Sequence, residues 1–270
     1  MHVVVCVKQV PDTTNVRINP ETNTLMREGV ESIVNPFDEY ALEQGLMLKD
    51  RHGAKLTVVS MGPPQATAVL REALARGADD AFLASSRAFG GADTLATSYT
   101  LAQAVKKACG GKTPDLVLFG KQAIDGDTAQ VGPGVSEFLG VPLVTYVRKI
   151  DVAYSGGEAK FTVESVMDDG VATIEGKLPA VMTVLKGSDA PRFAPLAGAM
   201  RAAKTDITVL DERDIEADPA YIGLKGSPTK VVTIFPPPIK GGGEKIVVSG
   251  QDAAKAIAAF LEKKGWKKNG

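Results

Sequence analysis

"DLVLFGKQAIDGDTAQVGPGV" runs from Asp115 to Val135, and its reading decides the fold. The first five residues are an apolar run of strand length. The chain then lays down Lys, three Asp/Thr positions and two Gln among glycines, with no apolar period. A strand that ends in such a loop suits a ligand-holding turn at the edge of a parallel sheet, because ligands of open α/β sheets bind beyond the carboxyl ends of the strands.

The same alternation surrounds it. "HVVVCVKQV" (2–10) is a continuous β-branched run, as in strands buried on both faces. A polar, hairpin-like stretch follows at 12–29. "NPFDEYALEQGLMLKDRHG" (35–53) reads as a helix. Asn35 is a candidate N-cap, Pro36 fits the first turn, Asp38 complements the positive end and Gly53 closes it. "AKLTVVSMG" (54–62) is a strand, "PPQATAVLREALARG" (63–77) a helix and "ADDAFLAS" (78–85) a strand. "ADTLATSYTLAQAVKKACGG" (92–111) is a helix, with Leu95, Ala102, Val105 and Ala108 near helical spacing. Strand–helix alternation of this kind predicts a parallel sheet with right-handed crossovers. After Pro142 the texture changes. Residues 143–186 read as antiparallel strands joined by Gly-containing turns, Ser155 and Asp168–Asp169 marking two of them. From Gly187 little periodicity is visible until "QDAAKAIAAFLEKKG" (251–265), a terminal helix. The Pro- and Gly-rich 226–243 stretch before it suits an arm lying on a partner chain, or else a disordered linker. The expected division is a nucleotide-binding α/β domain over 1–186, and a loop and C-terminal arm over 187–270.

The totals bound the function. The 270 residues carry a formal net charge of −1, which removes a bulk electrostatic case for nucleic acid or anionic membrane. Two cysteines, Cys6 and Cys109, make no disulfide framework and fit a reducing, cytoplasmic setting. No apolar stretch has the length of a membrane span. His2 and His52 are isolated, so no His-based metal cluster or Ser–His–Asp arrangement is expected, and no Walker A or G-x-G-x-x-G pattern is present. Asp93 can cap the helix that follows it, while Thr94, Thr97 and nearby amides can donate to a phosphate. Thr128, Gln130 and the amides of the Gly126–Gly132 loop offer donors from another side. Ordinary capping and turn chemistry would use the same residue types. Composition and pattern alone therefore reach a nucleotide-binding α/β protein without a catalytic constellation.

Further motifs extend this. "VKQVPD", "NPFDEYALE", "SMGPPQA", "LREALARGADDA", "GKQAIDGDTAQVGP", "KLPAVMTV" and "PRFAPLAGAMRAAK" together resemble the beta subunit of electron-transfer flavoprotein, in the family's order and over nearly the whole chain. One place departs: Ser165 and Ala172 stand where the family often has a basic residue and a Glu or Gln around the acidic turn.

The resemblance implies a Rossmann-like parallel sheet of the adenine-nucleotide α-hydrolase type, with additional antiparallel strands and a C-terminal arm. It implies a heterodimer with an alpha subunit that carries most contacts to an electron-shuttling FAD. The beta subunit would hold AMP, or a second FAD in electron-bifurcating members. Carried over by motif, its site comprises Cys6, Asn35, Pro36, Phe37, Asp38, Met61, Gly120, Lys121, Gln122, Ala123, Ile124, Asp125, Gly126, Asp127, Thr128, Ala129, Gln130 and Val131. "FGGADTLATS", with "VPDTT" and "MGPP", resembles the bifurcating group, which adds Asp93, Thr94 and Thr97 and favours FAD over AMP. NADH would then deliver the electrons, one path leading through the alpha-subunit flavin to a dehydrogenase such as an acyl-CoA dehydrogenase. The other path leads to ferredoxin or flavodoxin. Leu196 resembles the anchoring leucine of the family's recognition loop, with Arg192 and Met200 beside it in a segment of weak secondary-structure signal. Outside this family, a stand-alone adenine-nucleotide sensor or hydrolase would use the same strand-end loops.

Overall fold

Strand β1 (His2–Cys6) is an interior strand of the sheet, and its alternate residues feed two cores. A computed structural model describes residues 1–12, 17–18, 25–26, 32–155, 158–187, 189–232 and 245–266. The chain forms two compact units, Met1–Lys230 and Val231–Gly270.

Within the first unit the elements after β1 are β2 (Gln9–Pro11), β3 (Arg17–Ile18), β4 (Leu25–Met26), β5 (Ser32–Val34), α1 (Pro36–His52), β6 (Lys55–Met61), α2 (Thr67–Arg76), β7 (Asp80–Ala84), α3 (Thr94–Ala108), β8 (Leu116–Gly120) and α4 (Val131–Leu139). There follow β9 (Leu143–Ser155), β10 (Glu158–Met167), β11 (Gly170–Lys177), β12 (Ala180–Val184), α5 (Leu196–Lys204) and β13 (Thr208–Leu210). The main sheet has the order β11-β10-β9-β12-β8-β1-β6-β7-β13. Strands β12, β8, β1, β6, β7 and β13 run parallel, while β10 is antiparallel to both β9 and β11.

The pleat explains why the central strands read as unbroken apolar runs. Val3, Val5, Leu56, Val58, Leu116, Leu118 and Met182 face a core closed by Leu42 and Leu46 of α1, Leu70 and Leu74 of α2, and Ala202 of α5. Val4, Cys6, Val59, Val117, Phe119 and Val181 face the opposite core, closed by Leu101 and Val105 of α3 and Val135 and Leu139 of α4. Residues of period two thus enter both layers, each buried Leu or Val contributing about 1.5–3 kcal/mol.

Several expectations change. Residues 180–184 do not continue the antiparallel ribbon: β12 pairs parallel with β8 (Val181 opposite Val117) and with β9 (Val181 opposite Leu143). Its five residues are all buried, so an unbroken apolar run marked a central parallel strand. The stretch after Gly187 contains a nine-residue helix, α5, and the edge strand β13. Short length and many alanines hid α5, whose only fully buried residues are Gly198 and Ala202. Leu95 lies on the outer face of α3, while Ala102, Val105 and Ala108 are buried. Arg17–Ile18 pair antiparallel with Leu25–Met26, as the hairpin-like reading requires; the rest of 13–31 lies outside the described residues, as do Gly156–Gly157 and 233–244. Asp168 and Asp169 form the turn between β10 and β11, where Met167 pairs with Gly170.

The second unit contains α6 (Gly250–Lys263), on which Ile257, Phe260 and Leu261 are exposed. No helix among the described residues is long and apolar enough to cross a membrane.

Candidate functional site

The carboxyl ends of β1 and β8 and the start of α1 meet at Asp38. Its Oδ2 accepts the Lys8 N–H at 2.7 Å and its Oδ1 accepts the Gly120 N–H at 3.1 Å. Asp38 is buried, and burial pushes its carboxyl up to about 7, outweighing hydrogen bonds from Asn35, Lys8 and Gly120 that favour the anion. It is a strut between strand ends rather than only a charge matched to a helix terminus. The approach is close: a Cβ on Gly120 would lie 2.4 Å from Asp38 Oδ1, so no other residue fits there without displacing α1.

Asn35 occupies the N-cap position but makes no side-chain cap. Its Nδ2 donates to the Gln122 carbonyl at 2.8 Å, and its Oδ1 accepts from the Ile124 N–H at 3.2 Å. The side chain therefore pins the first turn of the 120–131 loop to α1. From the other side, Lys8 Nζ lies 2.7 Å from both Asp125 oxygens. Lys121 Nζ sits 5.3 Å from the Tyr146 ring centroid. Tyr146 has a φ of 55°, and its N–H donates to Thr183 Oγ1 at 3.2 Å. An irregularity in strand pairing produces that position, and neither period nor motif signals it in the sequence.

The far half of the loop is built for close approach. Asp127 and Ala129 have φ of 56° and 53°, a left-handed conformation that side chains disfavour by about 1–2 kcal/mol. Gln122 Nε2 donates to Asp127 Oδ1 within the loop. Among the described residues, the backbone N–H groups of Thr128, Val131 and Gly132 meet no protein acceptor. Val131 and Gly132 open α4, which has no side-chain cap and no acidic residue in its first turn, and Thr128 lies three residues before it. Uncapped N–H groups at a helix start, with the helix dipole behind them, form a seat for an anion. A phosphate group fits these donors.

The start of α3 is different. Asp93 Oδ1 accepts from the Leu95 and Ala96 N–H groups at 3.0 and 3.1 Å, and the Thr97 N–H donates to the Asp93 carbonyl. Asp93 Oδ2 receives the Thr229 N–H at 3.0 Å and the Thr229 hydroxyl at 2.9 Å. Desolvation pushes the Asp93 carboxyl up, but these hydrogen bonds together outweigh it and hold the group below the usual carboxylate range. The capping role expected of Asp93 is what the structure shows. The amides expected to serve a phosphate are already used by its carboxylate, and the partner segment at Ser227–Thr229 gave no signal in the sequence. Thr94 Oγ1 donates to Gln130 Oε1 at 2.9 Å, which brings the α3 start beside the β8–α4 loop as one polar rim.

The remaining expected residues are distributed around this rim or away from it. Pro36, Phe37, Lys121, Gln122, Ala123, Ile124 and Met61 are half-buried, and Asp125, Gly126 and Thr128 are exposed. The Cys6 side chain packs inside the α3–α4 core, and burial pushes its thiol well up. Leu196 and Met200 are exposed on α5, with Phe193 outside it. Arg192 is paired with Glu43 and Asp50 of this chain.

A family model described as "Electron transfer flavoprotein domain" matches residues 22–215. The chain belongs to the electron-transfer flavoprotein family, as a beta subunit. It is 48% identical over 262 residues to the electron transfer flavoprotein subunit beta of Clostridium acetobutylicum, covering 97% of this chain and 98% of the relative. It is 48% identical over 266 residues to the caffeyl-CoA reductase-Etf complex subunit CarD of Acetobacterium woodii, covering 98% and 99%. Protein FixA of Azotobacter vinelandii is 46% identical over 259 residues, covering 96% and 92%.

Proposed function

We propose that this subunit holds an adenine-containing nucleotide against the β8–α4 loop and works with an alpha subunit as a two-protein electron carrier. The open amino end of α4 carries the proposal: the Thr128, Val131 and Gly132 N–H groups, without acceptors among the described residues, suit a phosphate. The left-handed residues on either side of Thr128 bring backbone rather than side chains toward it. With Gln130 Oε1 engaged by Thr94, the Gln130 amide nitrogen remains a donor.

FAD is the favoured nucleotide. The polar rim from Thr94 to Gln130 extends the phosphate seat toward the α3 start, and the "FGGADTLATS" resemblance supports the bifurcating group. Bound FAD supplies hydride acceptance and single-electron passage, chemistry that no side chain in the rim provides. In this reading NADH is the donor. The acceptors are the alpha-subunit FAD with its dehydrogenase, and ferredoxin or flavodoxin. The similarity to a subunit of a caffeyl-CoA reductase-Etf complex supports a dehydrogenase of the acyl-CoA class as partner. The exposed Leu196 and Met200 are the proposed docking tip, and α6, with its exposed apolar residues, the part that lies on the alpha subunit.

AMP is the second reading, and Asp93 favours it. Its carboxylate already fills the amide positions at the α3 start, leaving one open helix end for one phosphate. Replacing exposed Thr128 with Glu tests the site under either reading. A carboxylate beside the α4 amides should expel the nucleotide while the fold persists, since uncompensated like charges repel strongly. Full nucleotide content in a folded Thr128→Glu complex would show that the site lies elsewhere.

A further inference from the structure

The chain entering α5 is fastened to α1 by a charged staple. Glu43, only 6% exposed on α1, accepts four hydrogen bonds from Arg192: the backbone N–H at 2.9 Å, Nε at 3.0 and 3.1 Å to its two oxygens, and Nη2 at 2.8 Å. Arg192 Nη1 also reaches Asp50 at 2.9 Å. Three residues upstream, Asp189 Oδ2 accepts from Gln44 Nε2 at 3.0 Å. Two consecutive residues of α1 thus hold two points of one incoming segment. Glu43 and Gln44 are buried polar residues on a helix, where burial without partners is costly.

The start of helix α5 has little support of its own. Its N-cap is Pro195, which offers no side-chain acceptor, and its first turn has no acidic residue. A nine-residue helix with an uncapped start is weak alone. Its body is fixed on α2, where a Cβ on Gly198 would lie 2.1 Å from the Ala75 carbonyl and Arg201 Nη2 donates to the Leu74 carbonyl at 2.8 Å. Leu196, however, is the first residue of the uncapped turn. What precedes it is held at Arg192.

We infer that Glu43 is a positioning residue for docking: through Arg192 it holds the Phe193–Leu196 tip in the shape that a partner dehydrogenase binds. This rests on the docking reading of Leu196. Tips ordered before contact lose less conformational entropy on binding, so loosening them weakens association without touching the contact surface. The same helix carries Asn35 and Asp38 at its other end, so tip and nucleotide loop share one rigid support.

The test uses the alpha–beta complex with an acyl-CoA dehydrogenase as electron acceptor. Glu43→Gln is expected to raise the KM for the dehydrogenase about ten-fold, the size of a moderate interface loss, with kcat at saturation and cofactor content unchanged. Amide hydrogen exchange at 193–199 should accelerate. Arg192→Lys, which keeps the charge but not the forked geometry, should show the same direction. A charge that touches the partner itself would give the reverse: Glu43→Gln harmless and Arg192→Lys nearly so. Unchanged KM and unchanged exchange in Glu43→Gln overturn the staple while leaving docking intact, provided that Leu196→Ala raises KM. A normal KM in Leu196→Ala overturns the docking reading and the staple's role with it.

Discussion

Asn35 Nδ2 lies 2.8 Å from the Gln122 carbonyl oxygen, joining residues 87 positions apart in the chain. The same amide accepts from Ile124, so one buried side chain satisfies two backbone groups of the β8–α4 loop. Asn35→Ala strands both groups. Leaving such groups unpaired costs about 1–3 kcal/mol each when buried. The expected outcome is a clear fall in nucleotide content with a modest drop in melting temperature, read by cofactor release and thermal unfolding of the same sample. Undiminished nucleotide content would mean that the loop's shape does not depend on α1.

Asp38 makes stability depend on pH. Its folded value of about 7 exceeds the ordinary 3.8, so the folded chain keeps a proton that the unfolded chain releases between those values. Its contribution is therefore fully present below the ordinary value, declines as pH rises through that window and levels off above about 7. Asp38→Asn removes the titration. Between pH 5 and pH 8 the stability difference, wild type minus variant, should shrink by roughly 2–3 kcal/mol in urea unfolding. A constant difference would show that the two N–H groups outweigh burial.

Leu196 is 80% exposed, so its truncation removes little of this chain's own packing. Leu196→Ala should leave the melting temperature and cofactor content nearly unchanged. Electron delivery to the dehydrogenase, assayed below saturation, should fall by about ten-fold or more, the loss typical of a hot-spot anchor. A variant that melts several degrees lower yet transfers electrons normally would contradict the docking role.

The sequence announced the layered α/β architecture because the strands feeding both cores are continuously apolar, and because Pro36 and Gly53 bracket α1. It mistook β12, since an apolar run of five carries no sign of its neighbours' direction. The β8–α4 loop stood out at Gly120–Val131 from its polar, glycine-bearing texture after β8. What holds that loop was less legible. Asn35 and Asp38 looked like ordinary cap residues, and only three-dimensional proximity shows that they serve Gln122, Ile124, Lys8 and Gly120 instead. The pairing of Arg192 with Glu43 was hidden because the two lie 149 positions apart.

The central claim is that this subunit carries FAD on the β8–α4 loop. Denaturing the purified alpha–beta complex and quantifying the released nucleotides tests it most directly. The account predicts two FAD per heterodimer, with one lost in the Thr128→Glu complex. One FAD and one AMP per heterodimer would contradict it.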